Sequence, residues 1–454
     1  MAMAMAMAAE NILESSNNLG DFMIGKIIKA HGVLVRMNDI SFARSIFDEI
    51  VKEGVIRPDV STYTTMIRGY CKLGMIEDAK RMFNGMCCKP NVFTYNTFVA
   101  GLCRKGEMKY AREIVDEMIV GKECLPDTVT FTTLIDGYCK QNQLEEAEKC
   151  MEEMVRRSCK PNVYTYNAFI YGLCTNGKVE EAKRMMSKMR LNGLKDNVAT
   201  HTNLLKGLCI VGRSDDAANH LKEMISLGLK PDVKAYSVVI HDYCKLGKPT
   251  KGIVLLDEMK SRGMNPHVSC FNSLFRALCD LGEHDRAIRY LKEMPQRGSS
   301  PNFISYSTVI CKLCSVRGRM RDVEDLVVNM HQKGHLPDTT MYSTMVRGYC
   351  QDDDIQMAIG VFREMIEKGI VIHRESFSVF VEKLCGNGKA SEVKKLFEEM
   401  RKRCPVPDVD SYQSLVNENL CKVWEDLPDY WSSRMNVAGR NNKQIKPSPV
   451  EQLV

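Results

Sequence analysis

This chain repeats itself, and the repeat leaves little freedom in what it can fold into. The stretch "KPNVFTYNTFVAGLCRKG" at residues 89–106 returns as "KPNVYTYNAFIYGLCTNG" at 160–177. Its aromatic recurs as Tyr63, Tyr95, Phe131, Tyr166, Tyr236, Phe271, Tyr306, Tyr342, Phe377 and Tyr412, with His201 in the remaining slot; the spacing is 35 residues apart from steps of 32 and 36. Eleven of the 19 cysteines keep the same beat: Cys71, Cys103, Cys139, Cys174, Cys209, Cys244, Cys279, Cys314, Cys350, Cys385 and Cys421. So do ten methionines from Met86 to Met400. A chain of 454 residues would otherwise suggest several globular domains. A period of this length means a solenoid, in which each unit buries its apolar face only by stacking on its neighbours.

Within a unit, Tyr95, Phe98, Val99, Leu102 and Cys103 fall on one face of an α-helix, and Phe131, Leu134, Ile135, Tyr138 and Cys139 repeat the pattern. A Gly-containing turn follows (Gly74, Gly106, Gly177, Gly212, Gly247, Gly282, Gly388), then a second helix with a small residue at its crossing point: Ala79, Ala111, Ala147, Ala182, Ala217, Ala287, Ala358. Lys-Pro-Asp or Lys-Pro-Asn closes the unit, because proline stops one helix and the Asx side chain can start the next. Each unit is therefore a helical hairpin. With 44% hydrophobic and 26% charged residues and no uninterrupted apolar run of spanning length, the sequence predicts no membrane span. The net charge of +6 permits a polyanionic partner without demanding one.

The cysteine beat invites a reading as disulfides or metal ligands. Packed helices lie roughly 8–10 Å apart, whereas a disulfide needs Cα atoms closer than about 7 Å, so the cysteines read as small buried hydrophobes and the methionines as core. His373 and Glu375 spell H-x-E, and Cys311 with Cys314 spells C-x-x-C, the pieces of a nucleobase deaminase. They stand in the wrong order and in different repeats, and Asp429-Tyr430-Trp431, which resembles the ending of a deaminase-like domain, lies in a short tail and reads as coincidence. No metal site, cofactor, catalytic residue or small-molecule substrate is expected.

The frame V-x-T-Y-N-x-x-I-x-G-L-C-x-x-G, x-x-E-A-x-x-x-x-x-x-M and K-P-D/N resembles the pentatricopeptide repeat of plant organelle RNA-binding proteins, in its plain P-class form. The resemblance implies an all-α, right-handed α-solenoid superhelix of about ten to eleven 35-residue hairpins. On it, 1–20 is a disordered N-terminus, 21–59 a degenerate first repeat with Ala43, Phe47 and Pro58 aligned, 60–408 ten repeats, 409–424 a partial eleventh and 425–454 a disordered tail. It also implies a single-stranded RNA partner read one base per repeat, RNA-processing proteins as candidate partners, and a mitochondrial or chloroplast location, the mitochondrion ahead of the chloroplast. The N-terminal "MAMAMAMAAENILESSNN" has no Arg and carries Glu10 and Glu14, unlike an Arg-rich, acid-poor presequence.

Two positions per unit are restricted to short polar residues. The residue after the aromatic lies off the apolar stripe: Thr64, Asn96, Thr132, Asn167, Thr202, Ser237, Asn272, Ser307, Ser343 and Ser378. The last residue of each unit is Asn91, Asp127, Asn162, Asn197, Asp232, His267, Asn302, Asp338, His373 or Asp408. Helix capping and base reading are both open for this second set; capping does not explain the first. A short hydroxyl leaves room for a purine and an Asn amide spans to a pyrimidine; Asp accepts from an imino N–H, whereas Asn can also donate. With RNA parallel to the protein the expected bases are A, U, A, C or U, G, unassigned, C or U, G, unassigned, G. By resemblance, the second residue of each unit sandwiches the base, so Phe93, Val129, Tyr164 and Ile304 should grip best and Glu375 should repel; Lys72, Arg104, Lys140 and Lys245 match the phosphate-facing position. Affinity should then lie in the N-terminal half. The alternatives are a protein-binding helical scaffold, whose 34-residue period and W-x-x-L-G-x-x-Y signature are not seen, and an adaptor recruiting an RNA-processing enzyme.

Overall fold

The computed structural model describes residues 58–425 apart from 122–123 and 405–407, together with Ile40, Arg44, Ser45, Phe47 and Asp48, with side chains as far as Asn419. Among the described residues there are 21 α-helices and no strand. Two compact units divide at Asp242 and Tyr243. The first holds α1 (Val60–Leu73), α2 (Ile76–Asn84), α3 (Val92–Lys105), α4 (Met108–Gly121), α5 (Thr128–Lys140), α6 (Leu144–Arg156), α7 (Val163–Thr175), α8 (Val179–Leu191), α9 (Val198–Ile210), α10 (Ser214–Ser226) and most of α11 (Val233–Lys245). The second holds α12 (Pro249–Ser261), α13 (Val268–Asp280), α14 (His284–Glu293), α15 (Phe303–Leu313), α16 (Met320–Gln332), α17 (Thr339–Gln351), α18 (Ile355–Glu367), α19 (Arg374–Gly386), α20 (Ala390–Arg403) and α21 (Val409–Glu425).

The odd-numbered helices are the first helices of the hairpins, and they begin at side-chain caps. Asn91, Asp127, Asn162 and Asn197 sit in extended backbone and accept the amide N–H three residues on. Most second helices have no side-chain cap; α2, α6, α8 and α10 instead carry Glu77 and Asp78, Glu145 and Glu146, Glu180 and Glu181, and Asp215 and Asp216 in their first turns, where the helix dipole favours negative charge. Turns between the helices need left-handed backbone, usually from glycine. Asn142 (φ 59°) and Asp353 (φ 60°) fill the slots where the turn glycine is missing, and Ser158 (φ 61°) does so after a second helix.

In each unit, the predicted crossing alanines are fully buried, as are most of the beat aromatics. The described beat cysteines are unpaired thiols, buried except for half-buried Cys209. Burial pushes the Cys71 thiol up to about 11 and Cys103 and Cys139 to about 12. They have a packing role that the apolar pattern does not reveal. A Cβ added at Gly101, Gly137, Gly172 or Gly207 would lie 2.1–2.9 Å from the Sγ of Cys71, Cys103, Cys139 or Cys174 in the preceding first helix. Glycine thus lets successive first helices approach until one backbone rests on the other's thiol.

The 32-residue step has its cause in α2, which has nine residues where most second helices have 13 or 14. Phe83 closes the shortened hairpin, stacked on Phe98 at 4.7 Å and edge-on to Tyr95 at 5.3 Å. Of residues 21–59, expected as a degenerate first repeat, Phe47 is buried edge-on against Tyr63 at 5.3 Å; Ala43 and the tail beyond residue 425 lie outside the described residues.

Candidate nucleic-acid interface

The first helices carry the two polar positions, and the caps bring them together. Asp127 Oδ1 accepts the Thr130 amide at 2.9 Å, closing the start of α5. The same oxygen accepts Asn96 Nδ2 at 3.1 Å, although the two residues are 31 apart in sequence. Asn167 Nδ2 reaches Asn197 Oδ1 at 3.4 Å in the same way. Elsewhere a buried hydroxyl bridges the pair: Thr94 joins Thr64 (2.7 Å) to Asn91 (3.0 Å), Thr165 joins Thr132 (2.8 Å) to Asn162 (3.2 Å), and Ser305 joins Asn272 (2.7 Å) to Asn302 (3.0 Å). Capping and pairing are therefore compatible at the last residue of the unit. The cap takes Oδ1, so the other atom of the planar group, Nδ2 in Asn or Oδ2 in Asp, is turned away from the helix end.

The remaining positions differ. Asp232, Asp338 and Asp408 cap through Ala235, Met341 and Ser411, while Thr202 and Ser307 bond carbonyls of their own helices. Ser237 donates to the Val233 carbonyl, and His267 Nδ1 accepts the Ser269 amide. Ser343 accepts the His373 backbone N–H at 3.0 Å, and the His373 side chain makes no cap bond. Ser378 is half-buried. Thr64 (3% exposed) and Ser343 (1%) are buried, whereas most of the others are half-buried. Being off the helix's own apolar stripe does not keep a side chain open when the next repeat lies over it.

Asp127 carries a further electrostatic signature. Burial works to raise its carboxyl, yet the Thr130 amide, the Asn96 amide and the Thr130 hydroxyl together hold it below the ordinary carboxylate value. The acceptor is ionised at neutral pH.

Phe93 (58% exposed), Val129 (56%), Tyr164 (78%) and Ile304 (55%) project into solvent from the first turns of α3, α5, α7 and α15. A groove of about 810 Å³ gathers, from three successive repeats, Val129 and Tyr164, the pair Thr132 and Asn162, and the cations Arg104 and Lys140. Lys140 is not fully available, because it pairs with Asp136 at 2.6 Å. Lys72, Arg104 and Lys245 are exposed. One repeat beyond Lys245 the equivalent residue is Asp280, which pairs with Lys312 at 2.6 Å, and Lys383 pairs with Asp353 at 2.7 Å. Lys312 and Lys383 are thus each paired with a carboxylate of the protein.

Among the described residues, no cluster of three or more His, Cys, Asp or Glu side chains could hold a metal ion, and no helix is long and apolar enough to cross a membrane. Sequence reasoning missed the bridging hydroxyls of Thr94, Thr130, Thr165, Thr200 and Ser305; their signal is the T of the V-x-T-Y-N frame. It also missed the surroundings of His201. That ring is buried, stacked on His220 at 5.1 Å, with Nδ1 3.0 Å from His220 Nε2 and Nε2 3.2 Å from Asp196, which is itself held by Arg190; His220 in turn lies 2.9 Å from Glu223.

Comparison with known proteins agrees with this architecture. A model described as the PPR repeat family matches residues 126–175, 163–210, 196–245, 231–280 and 266–315, and PPR repeat models match 56–87, 86–119, 340–370 and 375–404, together more than half of the chain. A pentatricopeptide repeat-containing protein of Arabidopsis thaliana is 32% identical over 104 residues, 23% of this chain and 14% of that protein. A second Arabidopsis thaliana protein of the same description, named mitochondrial, is 30% identical over 104 residues, 23% of this chain and 13% of its own length. The matches thus span a small part of these relatives. The pentatricopeptide repeat protein PPR10, solved with an 18-nt psaJ RNA element, shares the fold with a TM-score of 0.53 at 20% identity, over 93% of this chain and 65% of that one.

Proposed function

Because this chain belongs to the pentatricopeptide repeat family, we propose that it binds single-stranded RNA sequence-specifically, one base per repeat, and acts on organellar transcripts by occupying its site. Occupancy would shield a transcript from nucleases, mark a processed end or remodel structure near a start site; the chain would have no catalytic activity of its own. The observation that carries this reading is the groove in which Val129 and Tyr164 could sandwich a base, Thr132 and Asn162 could address its edge, and Arg104 and Lys140 could meet phosphate. PPR10 was solved with an RNA element, and one relative is named mitochondrial, which supports the RNA partner and an organellar location. Base contact at Phe93, Val129, Tyr164 and Ile304 and phosphate contact at Lys72, Arg104, Lys140 and Lys245 are part of the same proposal.

The test is a gel-shift titration of the purified protein on an RNA carrying the expected bases. Affinity should fall linearly on a log scale with salt, with a slope of about −0.7 per phosphate neutralised. No binding at low salt would defeat the reading.

A further inference from the structure

We infer that the buried hydroxyl at the third residue of a first helix is a positioning group for base specificity: it fixes which atom of the preceding repeat's asparagine amide is offered to the base. The inference rests on the RNA-reading proposal above. Three of the polar positions after the aromatic are asparagine, and in all three the amide oxygen accepts a fully buried hydroxyl from the next repeat: Asn96 from Thr130 (2.6 Å), Asn167 from Thr200 (2.7 Å) and Asn272 from Ser305 (2.7 Å).

The hydrogen-bond inventory decides the orientation. Each hydroxyl already accepts the backbone N–H of the cap residue, Asp127 at 3.1 Å, Asn197 at 3.2 Å and Asn302 at 3.3 Å. Its single proton has two oxygens within reach, the asparagine at 2.6–2.7 Å and the cap Oδ1 at 2.9–3.1 Å. Two unprotonated oxygens at the shorter distance would repel, so the proton lies on the line to asparagine. The amide oxygen is thereby tied inward and Nδ2 is left as the presented group. At Asn96 one of its protons goes to Asp127 Oδ1, and turning the amide over would set oxygen against that carboxylate. A pyrimidine carbonyl is the acceptor such an N–H fits.

The sequence bears this out in a limited way. Ala235, Cys270 and Met341 stand at the hydroxyl position in three repeats. The residues that would be bridged there are Thr202, Ser237 and Ser307, which donate to carbonyls of their own helices and have no oxygen and nitrogen ends to distinguish. No asparagine lacks its hydroxyl.

Wild type, Thr130→Val and Thr130→Ser would be titrated with four single-stranded RNAs of the expected sequence differing only at the second base. Valine keeps the shape and the capping N–H but removes the hydroxyl; serine restores it. Uracil preference in wild type should shrink on the order of fivefold in Thr130→Val, the worth of one hydrogen bond, and return in Thr130→Ser. Thr200→Val, read at the fourth base, gives a second test should Thr130→Val fold poorly. If valine at either position preserves both the ranking and its size in a folded protein, the inference is overturned. If wild type itself ranks the four bases equally, the underlying base-reading proposal fails with it.

Discussion

Gly172→Ala probes a close approach between first helices and should destabilise a protein that helix propensity alone says it would stabilise. In α7, a Cβ at residue 172 would sit 2.3 Å from Cys139 Sγ, 2.4 Å from Cys139 Cβ and 3.3 Å from Cys139 Cα. Carbon atoms in contact prefer about 3.5–4.0 Å, so α7 must retreat from α5 by roughly 1 Å. The clash is with the stem of Cys139, which no rotamer change moves. Overpacking of this kind costs about 1–3 kcal/mol, and the stem contact places it near the upper end. Alanine recovers about 1 kcal/mol over glycine in a helix, leaving a net loss of about 2 kcal/mol. Gly360, exposed in the middle of α18, is the control: an added Cβ meets nothing within 4 Å, and Gly360→Ala should gain up to about 1 kcal/mol. Urea unfolding followed by circular dichroism should therefore move the two variants in opposite directions. RNA affinity should fall in Gly172→Ala, because α5 and α7 carry Thr132 and Asn167. If both substitutions stabilise, the close approach of glycine and cysteine does not set the spacing of the repeats.

Tyr164→Ala removes an exposed ring, so unfolding should hardly change while RNA binding weakens by about 1–3 kcal/mol in a gel shift. His201, buried first of all and placed beside His220, is held below its ordinary value despite Asp196. With the folded value depressed, its contribution is present above the unfolded value of about 6.5 and is lost as pH falls below it. His201→Tyr, which supplies the aromatic of the other repeats but leaves Arg190, Asp196, His220 and Glu223 in place, should show a smaller drop in Tm between neutral pH and pH 5.5. Alkylation with iodoacetamide at pH 8 should label exposed Cys87 rapidly and the buried cysteines Cys71, Cys103 and Cys139 only after unfolding, as read by peptide mass spectrometry; rapid labelling of the buried set would remove them from the helix interface.

The hairpins were legible because apolar periodicity and chain breakers act locally. Pro161 and Asn162 mark the start of α7, and Ala182 marks the crossing point of α8, without any knowledge of neighbouring repeats. The polar pairs were legible as two restricted columns, but not that Asp127 could cap α5 and meet Asn96 with one oxygen. That depends on how α3 and α5 are placed, which is set by Cys103 resting against Gly137. Gly101, Gly137, Gly172 and Gly207 recur with the repeat, but their spacing alone does not say that each rests on a thiol of the preceding first helix. The same limit applies to Thr64 and Ser343. Their own helices leave them uncovered, and burial comes from a repeat some 30 residues away.

Asn96→Thr tests the central claim most directly, namely that each repeat chooses its base through these two columns. Asn96 is half-buried and off the stripe formed by Phe98, Val99 and Leu102, so the fold should tolerate threonine. Wild type and variant would be titrated on four RNAs differing only at the second base. With the longer amide gone and the Asp127 carboxylate retained, preference should move from uracil toward guanine by about 1–3 kcal/mol, the scale of a good bidentate base contact. An identical ranking of the four bases by two equally folded proteins would contradict the account.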